Sequence, residues 1–188
     1  VNGVSGNAVE IQPYTCNQDA TIQAQNVTGG NAPYAYSIDG VNFIPDTTTG
    51  ANTFANLKNG SYTITIRDAN NCTFTTNTIT INPLNPPTDL TFAATTPSCP
   101  LLTSDVTVSV TNGNSNFTYE IIAPVADAIN NANNNLFTGL TPGTYTFRIT
   151  DAKGCVIQED YTVPPVTPIT VSGSLVNNVV CFNGSNGN

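Results

Sequence analysis

The chain has 188 residues with no histidine, methionine or tryptophan, and only 9% of its side chains are charged, for a net charge of -8. Four basic residues against twelve acidic ones leave too little positive charge to neutralise a phosphate backbone or hold an anionic lipid surface, which excludes nucleic acid and membrane insertion as partners. Thr, Asn, Gly and Pro dominate and helix-forming runs are missing, so the composition predicts an all-β chain, and no apolar run approaches the ~20 residues of a membrane span.

From the N-terminus, a poorly alternating first strand is expected over residues 9–15, ending at Cys16. A second strand over 20–27 leads into Thr28-Gly29-Gly30-Asn31, a turn with left-handed conformations available. The third strand covers Tyr34-Ala35-Tyr36-Ser37-Ile38 and is followed by a polar segment, 39–53. Next comes Leu57-Lys58-Asn59-Gly60-Ser61-Tyr62, which places a tyrosine where the chain enters a strand and resembles the tyrosine corner of Greek-key sandwiches. Tyr62, Ile64 and Ile66 then alternate with Thr63, Thr65 and Arg67, the period of a strand with one buried and one wet face. Asp68 and Cys72 bracket the turn into the last strand.

The whole order returns. Cys99 and Cys155 stand 83 residues after Cys16 and Cys72, and Tyr36/Tyr119, Phe54/Phe137, Leu57/Leu140, Tyr62/Tyr145 and Asp68/Asp151 keep the same offset. Cys181 follows Cys99 by 82 residues, so the sequence predicts one unit over 1–83, a second over 84–165 and the start of a third over 166–188, as in a slice through an array. Proline-rich joints, Asn82-Pro83-Leu84-Asn85-Pro86-Pro87 and Pro164-Pro165-Val166-Thr167-Pro168, would act as semi-rigid spacers between units. In the first unit the interval from Cys72 to Thr80 is one residue longer than its counterpart, Cys155 to Thr162, and the apolar side chains change parity. That combination predicts a β-bulge between Thr75 and Thr78. Residues 39–53 and 122–136 share length but almost no identity, and any unit-specific contact is expected there.

These landmarks resemble the SprB-type repeat of giant cell-surface adhesins of gliding Bacteroidetes. The resemblance is carried by Gly29-Gly30-Asn31-Ala32-Pro33-Tyr34-Ala35-Tyr36-Ser37, by Leu-x-x-Gly-x-Tyr-Thr, by Asp151-Ala152-Lys153-Gly154-Cys155 and by Cys181-Phe182-Asn183-Gly184-Ser185-Asn186-Gly187. Asn71 stands where the family usually has Gly, and Asn116-Phe117 replaces Pro-Tyr. The resemblance implies tandem immunoglobulin-like β-sandwiches in an extracellular surface adhesin with no enzymatic role. The expected function is that of a stalk that bears tension for a distal adhesive region, with neighbouring repeats of the same chain as partners. In the alternative the repeats themselves bind surface glycans or other cell-surface proteins. Phe43 is the one exposed aromatic expected in 39–53 that could stack on a sugar.

Other chemistry is weakly signalled. Without histidine, proton transfer near neutral pH would need displaced carboxylates, and the acidic residues are scattered singly, so no catalytic residue and no cofactor are expected. Asp39, Asp46, Asp68 and Asp89 could offer hard oxygen ligands to calcium, but no dense Asp-x-Asp pattern supports a metal site. Asp68 and Asp151 read instead as Asx-turn residues. Asn26, Asn59, Asn71, Asn116 and Asn183 each open a glycan acceptor triplet, as chance provides in so Asn- and Thr-rich a chain.

The five cysteines, Cys16, Cys72, Cys99, Cys155 and Cys181, leave two pairings open. Equal spacing suggests one disulfide inside each unit, Cys16 with Cys72. In an immunoglobulin-like order, however, Cys16 sits at one end of the sandwich and Cys72 at the other, on the order of 20 Å apart, whereas a disulfide needs Cα atoms within ~7 Å. Stacked units favour Cys16 with Cys155, and by the same rule Cys99 with a following unit and Cys72 with a preceding one.

Overall fold

A computed structural model of the chain describes residues 3–166 and 171–174. Cys181, most of the expected third unit and its Cys-Phe-Asn-Gly motif lie outside the described residues.

The first half is a chain of short strands: β1 (Ser5–Gln12), β2 (Ala20–Thr28), β3 (Ala35–Ser37), β4 (Ile44–Pro45), β5 (Thr53–Leu57), β6 (Gly60–Tyr62), β7 (Thr65–Arg67), β8 (Thr73–Thr75) and β9 (Ile79–Ile81). The second half repeats the path with β10 (Pro87–Ala94), β11 (Ser104–Asn112), β12 (Thr118–Ala123), β13 (Ile129–Asn130), β14 (Leu136–Leu140), β15 (Gly143–Thr150) and β16 (Val156–Val163). Among the described residues a single 3-10 turn, Val125–Asp127, interrupts the β structure.

In the second half β10-β11-β14 form one sheet and β13-β12-β15-β16 the other. The short fourth strand pairs with the third and not with the first sheet, giving an immunoglobulin-like sandwich divided three against four. The first half repeats this as β1-β2-β5 against β4-β3-β7-β8, with β6 and β9 paired separately. The second half is thus a sandwich of seven strands, while in the first half the last two strands are each broken in two.

The break has a local cause. Tyr62 pairs with Ile79 and Thr65 with Thr75, so two residues on one strand face three on the other, whereas Tyr145 to Ile149 pairs with Tyr161 to Ile157 without interruption. The extra residue lies in 76–78, a β-bulge. Thr76 fills the gap in the ladder: its N–H donates to the Ile64 carbonyl at 3.0 Å, and its Oγ1 accepts the Ile64 N–H at 2.9 Å. Asn77 turns its amide toward β1, where Oδ1 accepts the Ala8 N–H at 2.9 Å and Nδ2 donates to the Ala8 carbonyl at 3.1 Å.

Each half buries its own core. Ile22, Tyr36, Ile64 and Ile66 pack with Val4, Ala8, Ala24 and Ala51 in the first, and Val106, Val108, Ile121, Phe137, Tyr145, Phe147 and Ile149 fill the second. The first strands start earlier than the apolar pattern implied, at Ser5 and Pro87. In the first half the one fully buried residue of that strand is Ala8, which is small and carries little apolar signal, while Ile11 is exposed.

Candidate functional site

The feature with the most chemistry lies where the two halves meet. Thr15 forms a tight turn, its N–H donating to the Gln18 carbonyl at 2.9 Å while its Oγ1 accepts the N–H groups of Asn17 at 3.2 Å and Gln18 at 3.1 Å. This hydroxyl-capped turn holds Cys16 at the tip of the β1–β2 loop.

Opposite it stands the β15–β16 hairpin, organised by Asp151. One carboxylate oxygen accepts the N–H groups of Lys153 at 2.8 Å and Cys155 at 2.9 Å, as an Asx turn requires. The other accepts the N–H of Asn114 at 3.0 Å and its Nδ2 at 2.9 Å, tying the β11–β12 loop to the hairpin. Burial pushes the Asp151 carboxyl up, but the donors from Asn114, Cys155 and Lys153 outweigh it, and the pKa lies below the ordinary carboxylate value. Gly154, at φ 73°, turns the chain so that Cys155 faces the loop of the first half.

Cys16 and Cys155 are joined by a disulfide, with Cα atoms 5.1 Å apart. A backbone hydrogen bond reinforces it, the Cys16 N–H donating to the Lys153 carbonyl at 2.9 Å. Beside the bond, Glu10, Tyr14, Pro83, Leu84, Asn114 and Lys153 line a groove between the halves.

Residues 8–43 match the SprB repeat family. The match begins in β1, contains Cys16 and its turn, and ends in the segment after β3. No curated protein matches the chain. Among solved structures the chain is similar to the C-terminal 282-residue fragment of intimin in complex with the intimin-binding domain of the translocated intimin receptor, at 13% identity and TM-score 0.40, covering 87% of this chain and 64% of that one. It is similar also to an amphioxus IgVJ-C2 molecule, at 15% identity and TM-score 0.37 over 81% of this chain and 98% of that one. A third is SGBP-B of the Bacteroides ovatus mixed-linkage glucan utilization locus, in complex with a heptasaccharide, at 18% identity and TM-score 0.28 over 89% and 45% of the two chains. The chain thus spans less than two thirds of the intimin fragment and under half of the glucan-locus protein. TM-scores this low give none of the three a bearing on what the chain does.

The same hairpin in the first half is built alike but stands open. Asp68 accepts the N–H groups of Asn70 at 2.9 Å, Cys72 at 2.8 Å and, across the loop, Asn31 at 3.0 Å, with Asn71 at φ 63° in the place of Gly154. The donor from Asn31 is the main reason its pKa lies below the ordinary value. Cys72 and Cys99 are free and exposed, so Cys16 is not brought to Cys72. The contrast between exposed Cys72 and buried Cys155, 2% accessible, is the docked loop of the other half.

The tyrosines at the two corners each reach back four residues: Tyr62 Oη donates to the Lys58 carbonyl at 3.1 Å, and Tyr145 Oη to that of Thr141 at 2.9 Å. Phe43 is not a bare platform, because the Arg67 guanidinium lies 4.0 Å from its ring centroid. Asp39 is surrounded by donors, the Asn42 N–H first, then the Val41 N–H, the Asn42 amide and the Ser37 hydroxyl. They hold its carboxyl well below the usual range and point hydrogens where a cation would need bare oxygen. Among the described residues no group of three or more His, Cys, Asp or Glu could hold a metal, and no helix is long and apolar enough to cross a membrane.

Proposed function

We propose that the chain is a length of stalk from a cell-surface adhesin, made of immunoglobulin-like repeats set end to end over 1–83 and 84–165, with a third beginning at 166. It carries tension for an adhesive region elsewhere. The SprB match over residues 8–43 supports the class, a non-catalytic repeat of an adhesin at the cell surface. The Cys16–Cys155 bond between the two cores carries the mechanical reading. A disulfide joining sites 139 residues apart removes almost the whole of both sandwiches from the path of a force applied at the ends, because load passes directly from β1 to β16. Such a bond belongs in an oxidising compartment, as an outer surface is.

Single-molecule extension from the two termini tests this. Fully extended chain spans ~3.4 Å per residue, so the sequence separation of 139 between the cysteines corresponds to roughly 470 Å of contour that stays hidden at any force short of covalent rupture. Addition of a reductant, or Cys155→Ser, should release that length in steps. If the oxidised chain extends as far as the reduced one, the stalk reading falls.

One observation favours a second reading, in which the divergent segments bind a protein. Val41, Ile44, Val125, Ile129 and Leu136, half of the large exposed apolar side chains among the described residues, lie in 39–53 and 122–136. A sugar at Phe43 would first have to displace Arg67. Glycan-array and cell-binding assays of the isolated chain separate the readings, since a stalk should retain neither.

A further inference from the structure

The Cys16–Cys155 bond joins two residues in unlike surroundings. Cys155 is 2% accessible, enclosed by its own hairpin and by the loop docked on it, whereas Cys16 is exposed at the tip of that loop. A hollow of about 390 Å3 opens on the Cys16 side, walled by Tyr14, Gln18, Asp19, Lys58 and Leu84 together with Cys16 itself, and Cys155 forms no part of it. The cation in this hollow is Lys58, largely exposed and 3.8 Å from Asp19.

That asymmetry decides which sulfur can react. A thiolate displaces a disulfide sulfur in line with the bond, from the side away from the sulfur that leaves, so access selects the sulfur attacked. A small thiol standing in the hollow reaches Cys16 and expels Cys155, while burial closes the opposite approach. Breaking the bond does not by itself part the halves. The Cys16 N–H donates to the Lys153 carbonyl at 2.9 Å and the Thr15 hydroxyl caps the turn, and neither interaction involves a sulfur. Cys155 is therefore held beside the sulfur it has left, and closing the bond again is an intramolecular step favoured by effective concentration.

We propose that Cys16 is a thiol-exchange site, at which a small thiol such as glutathione, entering by the hollow, unfastens and refastens the joint between the two halves. As a control on the stalk, the inference rests on the reading above. In the opening step the glutathione thiolate forms a bond to the Cys16 sulfur, the Cys16–Cys155 bond breaks, and the Cys155 thiolate leaves and takes a proton from water. One protein disulfide and one thiol become a mixed disulfide at Cys16 and a thiol at Cys155. In the closing step the Cys155 thiolate attacks the Cys16 sulfur and expels the glutathione thiolate, so no further oxidant is consumed.

The test uses the whole chain with Cys72→Ser, Cys99→Ser and Cys181→Ser, so that no other thiol exchanges. Brief exposure to reduced glutathione is stopped with N-ethylmaleimide, and the peptides are mapped by mass spectrometry. At the earliest times glutathione on Cys16 with maleimide on Cys155 should exceed the opposite arrangement about tenfold or more, because access selects the sulfur attacked. Diluting the glutathione before the quench should restore the unmodified disulfide. Lys58→Ala should slow opening by glutathione, which carries net negative charge besides its thiolate, about twofold more than opening by 2-mercaptoethanol, which carries none, as one screened surface charge would. Equal labelling of the two sulfurs, glutathione chiefly on Cys155, the same Lys58→Ala effect on both thiols, or a disulfide that opens only in denaturant would overturn the proposal. All of these are read on the unloaded chain, so none touches the hidden length that judges the stalk reading.

Discussion

Gly154 lies against Asn17 across the joint between the two cores, at φ 73° and with no room for a β-carbon before the Asn17 amide nitrogen. Two separate costs therefore follow from Gly154→Ala. Left-handed backbone costs a residue with a β-carbon ~1–2 kcal/mol, and the overlap must swing the exposed Asn17 side chain aside. The measurement is a double-mutant cycle in thermal unfolding. Asn17→Ala in the Gly154→Ala background should recover the overlap part and leave the backbone part, and additivity of the two substitutions would remove the contact from the account.

The buried carboxylates of Asp68 and Asp151 make stability depend on acid. Their folded pKa values lie below the ordinary one, so their contribution is complete above the unfolded value near ~3.9 and is lost as pH falls through the folded values. Melting temperature should hold down to about pH 4 and decline below it. In Asp151→Asn the decline of the second half should flatten, because one accepting oxygen becomes a donor facing the Asn114 N–H, and the loss is already present at pH 7. An unchanged acid slope in that variant would assign the effect to other groups.

Much of this was legible before any coordinates, and the reasons are local. Tyr62-x-Ile64-x-Ile66 reads as a strand because burial follows the pleat, and the bulge could be placed because one extra residue both lengthens an interval and swaps a face. The half of Asp68 that reaches Asn31, 37 residues away, had no such signal. The Arg67 stack on Phe43 was equally hidden. It exists because β3 pairs with β4 on one side and β7 on the other, so that Ala35 faces both Pro45 and Arg67. Short-range patterns identify strands, but which loops touch depends on the order of strands in a sheet.

The bulge gives a third prediction. Asn77 replaces a missing ladder with its own amide, donating to and accepting from Ala8, where in the second half Glu159 only accepts the Leu90 N–H at 2.9 Å. Asn77→Ala should destabilise the first half by ~1–3 kcal/mol, since the part-buried Ala8 groups are left unpaired. Asn77→Asp, which keeps the acceptor alone, should fall between the two. Hydrogen exchange at the Ala8 amide is the direct check, and protection unchanged in Asn77→Ala would mean water takes over the role.

The two cores differ most in what fills them, and the difference predicts an order of unfolding. Phe147 is fully buried, with Phe92 and Phe137 both at 5.1 Å between ring centroids, and it occupies the position that Ile64 holds in the first half. Around Ile64 the first core relies on Ala8, Ala24 and Ala51, and its last two strands are interrupted by the bulge. Burial of apolar area stabilises by ~25 cal/mol per Å2, so the aromatic core gains more on folding than the alanine-rich one. In the reduced chain the first half should unfold first, and Phe147→Ala, at ~3–5 kcal/mol, should bring the second half down toward it. With Cys16–Cys155 intact the transitions should move together, because an unfolded first half remains tied by Cys16 to a folded partner and has less chain entropy to gain. Calorimetry with and without reductant distinguishes the cases: two resolved transitions in both conditions would show that the disulfide joins the cores without coupling them.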